Sequence, residues 1–162
     1  IKEDLIGPAR KQRVVVVDVP ELLRETVASM GLPGEVVTML VVGERVSVKA
    51  DRVQLGRVFT NLVKNAMEAM HKVQEKKLLL WVRPSDDGQF VIVDVTDDGE
   101  GIPPDQLEKI WMAFHTTKGD RGGTGLGLPA CAQIIGELGG KITVESDWGL
   151  GTTFSVYIPA AN

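Results

Sequence analysis

Two asparagines one helical turn apart carry the first chemical signal. Asn61 and Asn65 sit in DRVQLGRVFTNLVKNAMEAMHKV, residues 51–73. At 100° per residue, Gln54, Arg57, Asn61, Asn65, Glu68 and Lys72 project within an arc of about 80°. Asparagine is a poor helix-interior residue because its amide competes for nearby backbone groups, so a stacked pair invites a reason. Carboxamide oxygens suit a hard cation such as Mg²⁺, with phosphates and water completing an octahedron. The plainer alternative is a solvated helix face.

Two glycine-punctuated segments follow. In VDVTDDGEGIPP an apolar run delivers Asp97, and Gly99 and Gly101 then permit backbone to approach a ligand closely. A carboxylate placed there can accept from an exocyclic amine, although a plain turn would read the same. In GDRGGTGLGLPA, residues 119–130, a glycine-rich loop runs into a helix, where backbone amides bind anions. No GK[ST] follows and no strand precedes, so neither a Walker loop nor a dinucleotide fingerprint is present. Lys118 and Arg121 could neutralise phosphate charge or simply be solvated.

The elements that must hold these residues follow from periodicity. Strands are expected at 11–19, 35–42 and 45–49, and a helix at 20–30 opened by Pro20. Asp51 is a plausible N-cap for a long helix burying Leu55, Phe59, Leu62, Ala66 and Ala69. LLLWVRP and FVIVDVTD flank Asp87-Gly88, the strongest hairpin signal in the chain. A short helix is expected at 105–114, a loop at 115–125, a helix at 126–140 stopped by Gly139-Gly140, and a closing hairpin at 141–159. This order predicts an α/β (α+β) two-layer sandwich, a mixed and mostly antiparallel sheet with helices on one face.

Composition narrows the function. Eighteen basic against 22 acidic residues among 162 leave a net charge of -4, without the basic footprint of a nucleic-acid binder. The one cysteine, Cys131, lies in an apolar helical stretch and reads as a buried structural thiol in a reducing compartment. The most apolar window, VVTMLVV at 36–42, is far shorter than the roughly 20 residues of a membrane helix. A start at Ile1 suggests a piece of something longer. Twelve of the 18 glycines lie between Gly99 and Gly151.

Taken together, these motifs resemble the ATP-binding domain of sensor histidine kinases, within the GHKL group that also holds gyrase, heat-shock chaperone and mismatch-repair ATPases. NLVKNAMEA (61–69) looks like the N box, DDGEG (97–101) the G1 box, IWMAFHTTKG (110–119) the F box and GGTGLGL (122–128) the G2 box. GLGTTF (149–154) matches the final glycine motif. The resemblance spans about residues 13–159, in family order and spacing, and implies a Bergerat-type ATP-binding fold.

By that resemblance Asn65 is the Mg²⁺ ligand, with Asn61 beside it near the phosphates. Asp97 holds the adenine amino group, with Thr152 joining through water. Phe114 docks a lid over about 102–125, and Lys118 with Gly123, Gly125 and Gly127 cradles the triphosphate. Gly99, Gly101, Ile102, Thr116, Thr117, Arg121, Gly122, Thr124, Leu126 and Leu128 complete the implied nucleotide contacts. Asn61, Asn65 and Lys118 are the implied catalytic set.

ATPases and serine kinases of the group carry a glutamate base where this chain has Asn61. A carboxamide takes no proton at neutral pH, so the site suits holding MgATP for an external nucleophile. His71 and His115 lack the H-[ED]-x-x-P context of a phosphoacceptor. Many members have a basic residue where this chain has Glu68, which shifts phosphate compensation to Lys118 and Arg121.

The implied function is phosphoryl transfer from ATP to a histidine on a separate dimerisation and phosphoacceptor domain, for which residues 1–12 are the tether and 13–160 the catalytic unit. A response regulator, a cytoplasmic location, a monomeric fragment and a homodimeric full protein complete the expectation. No nucleic-acid partner and no membrane segment are expected in this stretch. The alternatives are an ATP-sensing interaction module without transfer, or a GHKL ATPase or serine kinase.

Overall fold

The computed structural model describes residues 12–44, 46–112 and 127–161. In chain order these form β1 (Val14–Asp18), α1 (Val19–Ser29), β2 (Val37–Val41), β3 (Ser47–Asp51), α2 (Arg52–Ala69), β4 (Leu78–Pro84) and β5 (Phe90–Asp97). After two short 3-10 turns come α3 (Leu128–Glu137), β6 (Lys141–Asp147) and β7 (Gly151–Pro159).

Both long helices start on an aspartate that also ends a strand. Asp18 accepts from the Glu21 amide at 3.0 Å, with Pro20 in the first turn of α1 where its missing N–H is not needed. The Asp51 carboxylate accepts from the Val53 and Gln54 amides at 3.0 and 3.1 Å, satisfying donors that the first turn of α2 leaves open. Its second oxygen accepts from Arg13 N at 2.8 Å, so the cap also ties β1 to the helix start. These caps fix the phase of α2, and with it the direction of the asparagine stripe.

Five strands form a sheet in the order β2-β4-β5-β7-β6, parallel between β2 and β4 and antiparallel elsewhere. Period-2 alternation puts Leu78, Leu80, Val82, Val91, Val93, Val95, Phe154, Val156 and Ile158 into the core. There they meet Leu55, Val58, Phe59, Leu62, Val63 and Ala66 of α2, and Cys131 and Ile135 of α3. Ala69 is only half-buried. The opposite face carries a polar arrangement in which Asp94 accepts from Arg83 at 2.8 Å and from Ser155 at 2.6 Å.

The expected two-layer sandwich is present, and two local expectations change. First, β1 and β3 pair with each other as a separate antiparallel ribbon, joined to the large sheet by the Val48–Ala160 bridge. Second, the helix expected over 105–114 is not formed across its described part. Instead Pro104–Gln106 and Lys109–Trp111 make single 3-10 turns. Contacts at Ile102 and Trp111 set the backbone of this stretch, and short 3-10 turns accommodate them. Ile102 N donates to Ser146 Oγ at 2.8 Å, and Trp111 stands edge-on to Phe154 with centroids 6.1 Å apart.

Candidate nucleotide site

The carboxyl end of β5 delivers Asp97 into an almost closed position, 4% exposed. Its Oδ1 accepts from Gly99 N at 2.8 Å, which pins the side chain to the turn that follows. That turn is wedged between two other elements. Glu100 N donates to Ala69 O in the last turn of α2 at 3.2 Å, and Gly149 N donates to Glu100 O at 2.6 Å. Gly101 takes φ 76° with its Cα side against Asp147 O, and Gly151 takes φ 125° against Asp97 O, so neither position has room for a Cβ. The glycines of DDGEG thus serve close packing of backbone on backbone within the protein.

The stripe on α2 reaches the same place. Asn65 is half-buried and lies one turn before Ala69, on which the Asp97–Gly101 turn rests. Asn61, one turn earlier, is 5% exposed. A fully solvated face is thus excluded at Asn61, while Arg57 and Lys72 of the same stripe are exposed. The cover comes from α3: Asn61 Nδ2 donates to Cys131 Sγ at 3.3 Å. Cys131 is completely buried, and burial pushes its thiol up to about 11, only partly opposed by the Asn61 amide. It is protonated at neutral pH and acts as a packing and hydrogen-bonding group.

α3 starts at Leu128 with Gly127 at its N-cap and Pro129 in its first turn. Thr152, the second residue of β7, lies directly opposite Asp97 and is 5% exposed. Ile102 is half-buried and bound through its amide to Ser146. The expected contacts Phe114, Thr116, Thr117, Lys118, Arg121, Gly122, Gly123, Thr124, Gly125 and Leu126 lie outside the described residues, as does most of the expected lid. His71 is exposed, with Nδ1 2.9 Å from Glu68 O.

Sequence reasoning missed two residues here. Ser146 contacts Ile102, Gly151 and Thr152, and Cys131 is the partner of Asn61. The first had a signal, since the DWGLG turn sets a hairpin register that places Ser146 opposite Thr152. The second had none, because it joins residues 70 apart in sequence. A groove of about 490 Å³ lies elsewhere, lined by Phe90, Lys141 and Tyr157 among others. It sits at the opposite end of β5 from Asp97, on the order of 24 Å away by strand rise.

The comparisons with known proteins agree with this geometry. Residues 50–162 match the family described as histidine kinase-, DNA gyrase B-, and HSP90-like ATPase. The chain belongs to this family. Sporulation kinase C of Bacillus subtilis (strain 168) is 36% identical over 112 residues, covering 69% of this chain and 25% of that protein. Sensor histidine kinase ZraS of Salmonella typhi is 41% identical over 113 residues, covering 69% and 23%. Among solved structures, the nucleotide-free catalytic domain of histidine kinase ThkA superposes with TM-score 0.77 at 32% identity, covering 91% of this chain and 96% of that one. Full-length ShkA in complex with AMPPNP gives TM-score 0.78 at 27% identity, covering 98% and 33%.

This member of the ATPase family shares the GHKL fold of histidine kinase catalytic domains. It spans a quarter or less of the length of these curated relatives, 25% of sporulation kinase C and 13% of sensor kinase CckA of Brucella abortus (strain 2308). No helix among the described residues is long and apolar enough to cross a membrane.

Proposed function

We propose that this domain binds ATP with Mg²⁺ and donates the γ-phosphoryl group to a histidine on a separate helical domain. The observation that carries the reading is Asn61: at the position where a water-activating enzyme needs a base, the chain has a buried carboxamide bound to a neutral thiol. Neither group accepts a proton at neutral pH, so water bound nearby is not activated.

The donor set fits a magnesium ion. Asn65 offers a hard carboxamide oxygen from a half-buried position beside the Asp97–Gly101 turn, and one or two protein ligands plus phosphates suffice for this ion. When bound, Mg²⁺ supplies charge neutralisation on the phosphates. Asp97 accepts from the adenine amino group and so orients the base. Asn61 stands near the phosphates, Lys118, Arg121 and the backbone of Gly123, Gly125 and Gly127 hold them, and Phe114 docks the lid. The histidine nitrogen forms the new N–P bond as the bond between the γ-phosphorus and the β–γ bridging oxygen breaks, leaving ADP. Positioning and charge stabilisation are what this transfer asks of the protein.

In the full protein the acceptor resides on dimerisation helices joined through residues 1–12, a response regulator receives the phosphoryl group, and the assembly is a cytoplasmic-facing homodimer. The isolated domain is monomeric. The test is hydrolysis: the domain alone should bind ATP yet turn it over slowly, whereas rapid hydrolysis without an acceptor would contradict the role given to Asn61.

A further inference from the structure

Asp97, Thr152 and Ser146 form one row across three adjacent strands. Asp97 on β5 is the register partner of Thr152 on β7, and Thr152 that of Ser146 on β6. Directly opposed residues in antiparallel strands share a face, with Cβ atoms about 4.5–5.5 Å apart. The row closes the end of the sheet on which the Asp97–Gly101 turn is folded.

The hydroxyl of Ser146 is fully committed. It accepts from Ile102 N at 2.8 Å, lies 2.8 Å from Thr152 Oγ1 and donates to Gly151 O at 3.0 Å. A serine hydroxyl has one hydrogen and two lone pairs. A carbonyl oxygen can only accept and an amide N–H can only donate. The Ser146 hydrogen therefore goes to Gly151, and the Thr152 hydrogen comes to Ser146. Thr152 is left with acceptor capacity alone, next to a carboxylate that also accepts.

We infer that Ser146 is a positioning residue of the nucleotide site, holding Thr152 as an acceptor beside Asp97 so that the row selects a purine edge carrying an exocyclic amine. The inference rests on the reading that Asp97 meets the base of ATP. Without Ser146, the Thr152 hydrogen turns to the Asp97 carboxylate and competes with the ligand amine for it. The same serine holds Ile102, the first residue of the 102–125 segment, so base recognition and the root of that segment share one hydroxyl.

The experiment compares ATP with purine riboside triphosphate, which lacks the exocyclic amine, by binding titration on the chain as it stands. Ser146→Ala should weaken ATP about three- to tenfold, the worth of one hydrogen bond, and leave purine riboside triphosphate nearly unchanged. Ser146→Thr, which keeps the hydroxyl, should restore the ratio. In a Thr152→Val background, Ser146→Ala should no longer alter the ratio. Equal weakening of both nucleotides, or an unchanged ratio effect in the Val background, would reduce Ser146 to a structural residue and overturn the inference. A wild-type chain that binds both nucleotides equally would overturn the ATP-base reading beneath it.

Discussion

Asn61 on α2 and Cys131 on α3 are joined by a hydrogen bond from Nδ2 to Sγ at 3.3 Å, with both side chains buried. The pair ties the helix that carries the asparagine stripe to the helix that follows the glycine-rich segment. A polar amide at that depth must be paired, since an unsatisfied buried donor costs about 1–3 kcal/mol.

Asn61→Asp should therefore destabilise the fold. The replacement puts a carboxylate against a neutral thiol in place of a donor, with an expected loss of about 1–3 kcal/mol. Urea unfolding of the variant beside wild type measures it, and unchanged stability would show that the amide is not held by Cys131.

Cys131 should make stability fall at high pH. Burial raises its thiol from 9.0 to about 11, so between those values the unfolded chain releases a proton that the folded chain keeps. Stability linked to the neutral thiol is fully present below pH 9 and is lost as pH rises through about 11. The slope is about 1.4 kcal/mol per pH unit at most. The stability difference between wild type and Cys131→Ala should narrow over that window, and a constant difference would contradict the burial argument.

Two glycines should respond with opposite sign. Gly101→Ala places a Cβ against Asp147 O at φ 76°, and should cost at least about 1–3 kcal/mol and weaken nucleotide binding. Gly136→Ala meets nothing within 4 Å inside α3 and should stabilise by about 0.4–1 kcal/mol. Thermal melts of the two variants test both statements, and a matching sign would count against them.

Arg83→Ala should separate stability from binding. The guanidinium pairs with Asp94 at 2.8 Å and stacks 3.8 Å over Trp81, on the sheet face away from the helices. Losing it leaves Asp94 with its Ser155 bond but without a counter-charge, a stability loss of about 1–3 kcal/mol with ATP affinity unchanged. An affinity loss larger than about twofold would mean that this face communicates with the site.

What could be read from the sequence was what is decided locally. Pro20 and Asp51 announce their helices because a helix start needs only its own first turn, and Asp87-Gly88 announces its hairpin because Gly88 supplies φ 73°. The turn after Asp97 was legible from its glycines for the same reason, since Gly101 supplies φ 76°. The separate β1–β3 ribbon, the cover over Asn61 and the hub at Ser146 depend on pairings between distant segments, which periodicity does not encode. The 105–114 segment misled because Leu107, Ile110 and Trp111 have helical spacing, while tethers at Ile102 and Trp111 decide its backbone.

The most direct measurement is transfer of labelled γ-phosphate from MgATP to a fragment carrying the phosphoacceptor helices. An acid-labile, base-stable product on histidine is expected, reduced at least about tenfold by Asn65→Ala and by Asp97→Ala, with little phosphate released when the fragment is omitted. An acid-stable product, transfer indifferent to both substitutions, or rapid phosphate release by the domain alone would contradict this expectation.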